Sequence, residues 1–193
     1  MVLVFATQNK NKVKEIKKVI PNFVTLKDLE AIGCSEDIPE TKDTIEGNAI
    51  QKANFVAEKY QVNCFSDDTG LEVEALNGEP GVYSARYAGP SKNADENMDL
   101  LLKKLKNKTN RKARFKTVIA LVLDNKTYTF EGIVKGVIRT EKSGDSGFGY
   151  DPIFEPEGKG ITFAEMDVNE KNTISHRSRA FCKMKDFLEQ NFA

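Results

Sequence analysis

Histidine is almost missing from this chain: His176 stands alone among 193 residues, which include three cysteines and no tryptophan. A single imidazole speaks against a histidine-built zinc centre. Cys34, Cys64 and Cys182 lie far apart and form no Cys-x-x-Cys pair. An odd, widely spaced set fits a reducing compartment better than a disulfide framework. Excess charge of either sign is missing too, since 29 Lys and Arg face 29 Asp and Glu. That balance argues against a protein that grips long nucleic acid, while leaving room for a local basic pocket for a small anion. No stretch approaches the roughly 20 apolar residues of a membrane span. The apolar start at residues 2–6 is too short for a secretory leader and runs into polar Thr7-Gln8-Asn9-Lys10. The expectation is a soluble, cytoplasmic protein with neither membrane nor nucleic acid as partner.

What is there fits one α/β domain over residues 1–193, with room for two lobes sharing a cleft. The continuous apolar run at residues 2–6 predicts a strand buried on both faces. A helix follows on Val13, Ile16, Val19 and Ile20, with Asn9 or Asn11 as cap and Pro21 as stop. Residues 23–26 suggest a second strand, and residues 44–60 a helix on Ile45, Ala49, Ala53, Val56 and Tyr60. Residues 62–66 read as a strand ending in Asp67-Asp68, and residues 71–76 as a separate alternating strand. A helix at 94–105, two long strands at 113–123 and 128–138, and a final helix at 175–190 complete the pattern. The mixture predicts a mixed β-sheet with flanking helices, the long hairpin strands forming a second lobe.

Five segments carry candidate chemistry. Thr7-Gln8-Asn9-Lys10-Asn11-Lys12 lies between the first strand and helix, where free N–H groups and a partial positive charge suit phosphate. The alternative is an ordinary polar turn, since the glycines of a Walker loop are missing. Ser66-Asp67-Asp68-Thr69-Gly70 pairs two carboxylates, suited to a magnesium ion and to a base that activates water, or else to a capped acidic turn. Glu40 lies in an acidic loop and is either a further metal-facing carboxylate or solvated, and Lys52 is either a ligand or a surface lysine. Gly147-Phe148-Gly149-Tyr150-Asp151-Pro152 lets backbone approach a flat ligand beside aromatic faces, unless the aromatics plug the core. Lys171 and Ser175-His176-Arg177 add cationic donors, with His176 equally readable as structural.

Together these segments resemble the inosine triphosphate pyrophosphatase (Ham1-like) family, whose members act on non-standard purine nucleotides. The likeness also takes in residues 76–87 and Thr162-Phe163-Ala164-Glu165-Met166, so it covers nearly the whole chain in order. The resemblance implies an elongated mixed α/β fold with two lobes enclosing a substrate cleft, a homodimer and dependence on Mg2+. It implies that residues 7–12 hold the triphosphate, and that Asp68 is metal ligand and general base with Glu40 a second ligand. Thr69 would touch substrate, Lys52 and Lys171 would lie near phosphate or base, and Phe148, Gly149, Tyr150, Asp151, His176 and Arg177 would form the base pocket. Two departures stand out: Gln8 where the family usually has glycine, and Thr69 in place of serine. The activity implied is hydrolysis of ITP, dITP and XTP to monophosphate and pyrophosphate. The alternatives are a pyrophosphatase for another modified nucleotide and a non-catalytic nucleotide-binding module.

Overall fold

The apolar run at the start of the chain forms β1 (Val2–Phe5), with Leu3, Val4 and Phe5 almost fully buried. The computed structural model describes residues 1–17 and 19–192, and of Asn11, Lys14 and Glu15 the backbone alone. The other strands are β2 (Thr25–Lys27), β3 (Cys64–Val73), β4 (Lys112–Leu123), β5 (Lys126–Ile138) and β6 (Phe154–Pro156). They form one sheet of order β2-β1-β3-β4-β5-β6. It is mixed: β1 runs parallel to β2 and β3, and β6 is antiparallel to β5. The register sets Leu3 beside Leu26 and Phe5 beside Phe65. The helices are α1 (Lys10–Lys17), α2 (Ile45–Tyr60), α3 (Ala94–Lys104), α4 (Val168–Ile174) and α5 (His176–Phe192). Among the described residues no helix is long and apolar enough to cross a membrane.

The chain divides into two compact units. The first comprises Met1–Asp68, Val118–Glu131 and the chain from Ala180 on; the second comprises Thr69–Thr117 and Gly132–Arg179. In the first, Leu3, Phe5 and Phe65 meet Val13 and Ile16 of α1 and Phe181, Met184 and Leu188 of α5. The Phe5 and Phe65 rings stack at 4.5 Å. The opposite face of β3 meets α2, whose Ala49 and Ala53 are fully buried. Their small side chains let the strand come close, so that Ser66 Oγ donates to Ala49 O at 2.5 Å and Cys64 Sγ to Ala53 O at 3.1 Å. Thr44 caps α2 by accepting the Gly47 N–H at 2.9 Å. Asp124 and Asn125, both at positive φ, form the two-residue turn between β4 and β5, the geometry that matches strand twist.

The second unit has its own core. Leu71 and Val73 of β3, Phe115 of β4 and Ile138 of β5 pack with Met98, Leu101 and Leu105 near α3. The Phe115, Phe154 and Phe163 rings meet at centroid distances of 4.6, 5.2 and 6.1 Å. Asn93 caps α3 and Asp167 caps α4, each side chain accepting two backbone N–H groups.

Several sequence expectations change here. The acidic pair does not end a strand: β3 runs without a break from Cys64 to Val73, through Asp67, Asp68 and Gly70. Residues that read as turn-formers in isolation are thus held extended within a strand that lies between β1 and β4 in the sheet. The strand expected over 71–76 therefore belongs to β3, and Glu74–Leu76 forms a single 3-10 turn. Val19 lies outside α1 (Lys10–Lys17) and is 49% exposed, so it does not continue the buried face that the sequence suggested. The short helix α4 precedes the expected last helix.

Candidate active site

In the first unit the site is built around β3. Successive residues of a strand point to opposite faces. Asp67, in step with Phe65, meets Lys12 from α1 at 2.7 Å; Asp68, in step with Ser66, meets Lys52 from α2 at 3.6 Å. Alternation thus places two carboxylates that are neighbours in sequence on different faces, each beside its own ammonium group, which lowers their mutual repulsion. Lys52 is 8% exposed and also donates a short hydrogen bond to Glu40 Oε1. Burial pulls its pKa down, but Asp68, Asp67 and Glu40 pull it up, and the net direction is upward. Lys52 is therefore an ammonium ion fixed between Glu40 and Asp68 at neutral pH.

The loop bearing Glu40 is fastened at several points. Glu36 accepts from Lys59 and from Tyr60, both at 2.7 Å, and Thr41 and Lys42 present N–H groups to Gln51 and Asn48 at 2.9 Å. Gln8 reaches this loop too, donating at 3.3 Å to Glu36 O and Asp37 Oδ1. The residue that departs from the family's glycine thus ties the expected phosphate segment to the acidic loop. Asn9 caps α1: its side chain accepts the Lys12 N–H at 3.3 Å, while Thr7 Oγ1 accepts the Asn9 N–H at 3.2 Å. Lys10 stands apart, 87% exposed in its side chain and 4.0 Å from Glu30. Asn11 contributes backbone to α1, and its side chain lies outside the described residues.

In the second unit the Gly-aromatic loop forms a second group. Asp151, 3% exposed, accepts the Phe148 N–H at 2.7 Å and the Lys171 ammonium at 2.5 Å, both on Oδ2. Phe148 is 63% exposed, with Lys171 Nζ 5.0 Å and Arg177 Cζ 5.7 Å from its ring centre. An exposed aromatic face ringed by two cations suits a flat, electron-rich ligand. Residues 143–165 clamp this loop from behind: Thr162 Oγ1 donates to Ser143 O at 2.8 Å, and Ser146 N–H to Ala164 O at 3.2 Å. His176 stacks on Phe115 with centroids 4.7 Å apart. Tyr150 follows the core-plugging alternative for the aromatics of this loop. Its ring is buried and its hydroxyl donates to Ser84 O at 2.8 Å, while Gly149 beside it takes a φ of +64°.

Gly147, named in the sequence for close backbone approach, is needed here for a different reason. A Cβ there would lie 2.3 Å from Asp151 Oδ2, and its φ is +83°. Gly147→Ala is expected to cost about 2 kcal/mol, combining left-handed strain with displacement of Asp151. That corresponds to a fall in Tm of roughly 4–8 °C by calorimetry. Gly149→Ala, where nothing lies within 4 Å, carries the φ strain alone and should cost less. Equal losses would show that the Asp151 contact does not matter.

Among the described residues no group of three or more His, Cys, Asp or Glu side chains is arranged to hold a metal ion. Magnesium at triphosphate sites usually needs only one or two carboxylates, with phosphate oxygens and water completing the shell. Glu40 and Asp68, both hard oxygen donors drawn to one cationic group, fit that requirement. A groove of about 910 Å³ opens in the second unit, bordered by Glu72, Glu74, Lys112, Arg114, Lys135 and Glu157. No residue expected to bind substrate lines it, and Arg114 is spent on Glu72 at 2.5 Å. The described side-chain chemistry gives it no claim to the substrate.

The first unit thus sets two carboxylates against Lys12 and the buried Lys52, chemistry suited to anions and cations, and the second carries an exposed aromatic ring with a lysine and an arginine beside it. Residues 3–187 match the model of the Ham1 family. The dITP/XTP pyrophosphatase of Flavobacterium johnsoniae is 60% identical over 188 residues, 97% of this chain and 98% of that protein. The solved Staphylococcus aureus Ham1 protein superposes with a TM-score of 0.94 at 40% identity, covering 98% of this chain and 99% of its own. A dITP/XTP pyrophosphatase structure from Mycobacterium abscessus gives 0.85 at 38% identity, with 95% and 98% covered. The chain belongs to the Ham1 family.

Proposed function

We propose that this chain is a Mg2+-dependent pyrophosphatase that hydrolyses ITP, dITP and XTP between the α and β phosphates, releasing the monophosphate and pyrophosphate. It acts as a cytoplasmic homodimer. The observation that carries the reading is the Glu40–Lys52–Asp68 group, drawn from the loop before α2, from α2 and from β3, in a chain matching dITP/XTP pyrophosphatases almost end to end.

Asp68 takes the proton from the attacking water, and its fixed distance from Lys52 sets its orientation. Residues 7–12 place the positive end of α1 toward the phosphates, while Lys12 and Lys52 supply positive charge where charge accumulates on them. A bound magnesium ion, held by Asp68 and Glu40, would screen the phosphates and polarise the water. Thr69 places a hydroxyl next along the strand from the base.

The second unit reads the purine. Phe148 offers a stacking face, and Arg177 donates to the carbonyl oxygen at ring position 6 of hypoxanthine and xanthine. Adenine carries a donor at that position and would leave a buried donor facing another donor. A polar mismatch of this kind discriminates by factors of about 10⁴. Asp151 and Lys171 hold the loop that carries Phe148, and His176 lines the pocket from its stack on Phe115.

Incubating the protein with Mg2+ and ITP, XTP, GTP, ATP or dTTP, then resolving products by anion-exchange chromatography, tests this reading. IMP with pyrophosphate is expected from ITP, with ATP turned over at least a thousand-fold less efficiently. IDP with orthophosphate would overturn the bond assignment, and equal use of ATP the base assignment.

A further inference from the structure

The β4 strand carries a row of buried side chains beneath the expected substrate residues. Ala113, Phe115 and Thr117 alternate with more exposed neighbours and so share one face of the strand. Phe115 lies flat against His176, the two rings 14° from parallel. Two residues on, the Thr117 hydroxyl meets Thr69 Oγ1 at 2.7 Å. Thr117 is fully buried, so water does not compete for that hydroxyl.

We propose that Thr117 is a positioning residue for the pyrophosphatase reaction, fixing the hydroxyl of Thr69 for its contact with substrate. The inference rests on the functional reading above, which makes Thr69 a substrate contact. A threonine hydroxyl left to itself rotates among staggered positions. The buried hydrogen bond from β4 selects one of them, and the γ-methyl of Thr69 adds stiffness that serine lacks. Where the family usually has serine, this chain holds its hydroxyl by a branched side chain and by a cross-strand partner. The geometry would be set before substrate arrives, and its loss should be felt at the reacting end rather than in the fold at large.

The test compares Thr117→Val, which keeps shape and removes the hydroxyl, with Thr117→Ser, which keeps the hydroxyl. Each is made in the native background and in Thr69→Ala, with kcat and KM measured on ITP and unfolding followed by circular dichroism. Thr117→Val is expected to lower kcat/KM about tenfold, as loss of one buried neutral hydrogen bond permits. Thr117→Ser should stay within about threefold of the parent. In the Thr69→Ala background, Thr117→Val should add no further loss, because its route of action is already gone. Unchanged kcat/KM in Thr117→Val, equal losses in Val and Ser, or losses that multiply with Thr69→Ala would each overturn the proposal. A fall in the unfolding temperature accompanied by unchanged kcat/KM overturns it as well, marking the bond as structural. A native protein with no pyrophosphatase activity overturns the functional reading and this inference with it, whereas an active native protein with an unaffected Thr117→Val overturns this inference alone.

Discussion

Asp68→Asn is expected to lower kcat for ITP by about a thousand-fold, the mid-range of what a positioned general base contributes. The amide matches the carboxylate in shape but cannot accept the proton of the attacking water. It would also withdraw one negative charge from the proposed Mg2+ ligands. The fold should persist, because Asp68 is not the sole partner of Lys52: Glu40 bonds the same ammonium group, and Asp67 adds attraction from the neighbouring position. Pyrophosphate release and thermal unfolding, measured on one preparation, separate the two effects. Activity within tenfold of the native protein would remove Asp68 from the base role.

Lys52→Met should damage both stability and activity. Here a buried cation is removed from between two carboxylates, so Glu40 and Asp68 are left facing each other with Asp67 close behind. Breaking a buried ion pair costs about 3–5 kcal/mol, and the partial exposure of Glu40 reduces this to roughly 2–3 kcal/mol. For a chain of this size that lowers Tm by roughly 5–10 °C. Loss of a fixed positive charge at the phosphates should reduce kcat/KM by about 10²–10³-fold. Adding Mg2+ without nucleotide should raise the Tm of Lys52→Met more than that of the native protein, since the ion can take over the screening that Lys52 supplied. An unchanged Tm in the variant would show that the lysine does not hold this group together.

The two arguments rest on different kinds of information. The residue types were legible in the chain: an acidic pair, lysines after an apolar strand, an aromatic flanked by glycines, and an arginine opening the last helix. Much of the fold was legible too, because β1, α2, α3 and the long strands follow apolar periodicity. Local signals misled where backbone pairing outweighed them. Asp67-Asp68-Thr69-Gly70 reads as a turn, yet it is the middle of a strand that lies between β1 and β4 in the sheet. Tyr150 reads as a site aromatic, yet its hydroxyl finds Ser84 O and its ring is drawn into the core. Lys10 and Lys12 look alike in sequence, but helical spacing turns Lys12 toward Asp67 and leaves Lys10 in solvent.

The sequence by itself determined the inventory: hard oxygen donors without a histidine or cysteine cluster, balanced charge, and motifs placing the chain in a nucleotide-hydrolysing family. Only the tertiary structure decided which lysine meets which carboxylate. Strand alternation sends Asp67 to α1 and Asp68 to α2, separating two like charges that adjacency in sequence seemed to force together. It also decided which residues support these groups. Gly147 is needed because Asp151 comes within its missing side chain, and Thr117 and Phe115 matter because β4 passes behind Thr69 and His176. Those are contacts between residues distant in the chain, made by the pairing of strands and the packing of cores, and a linear pattern does not record them.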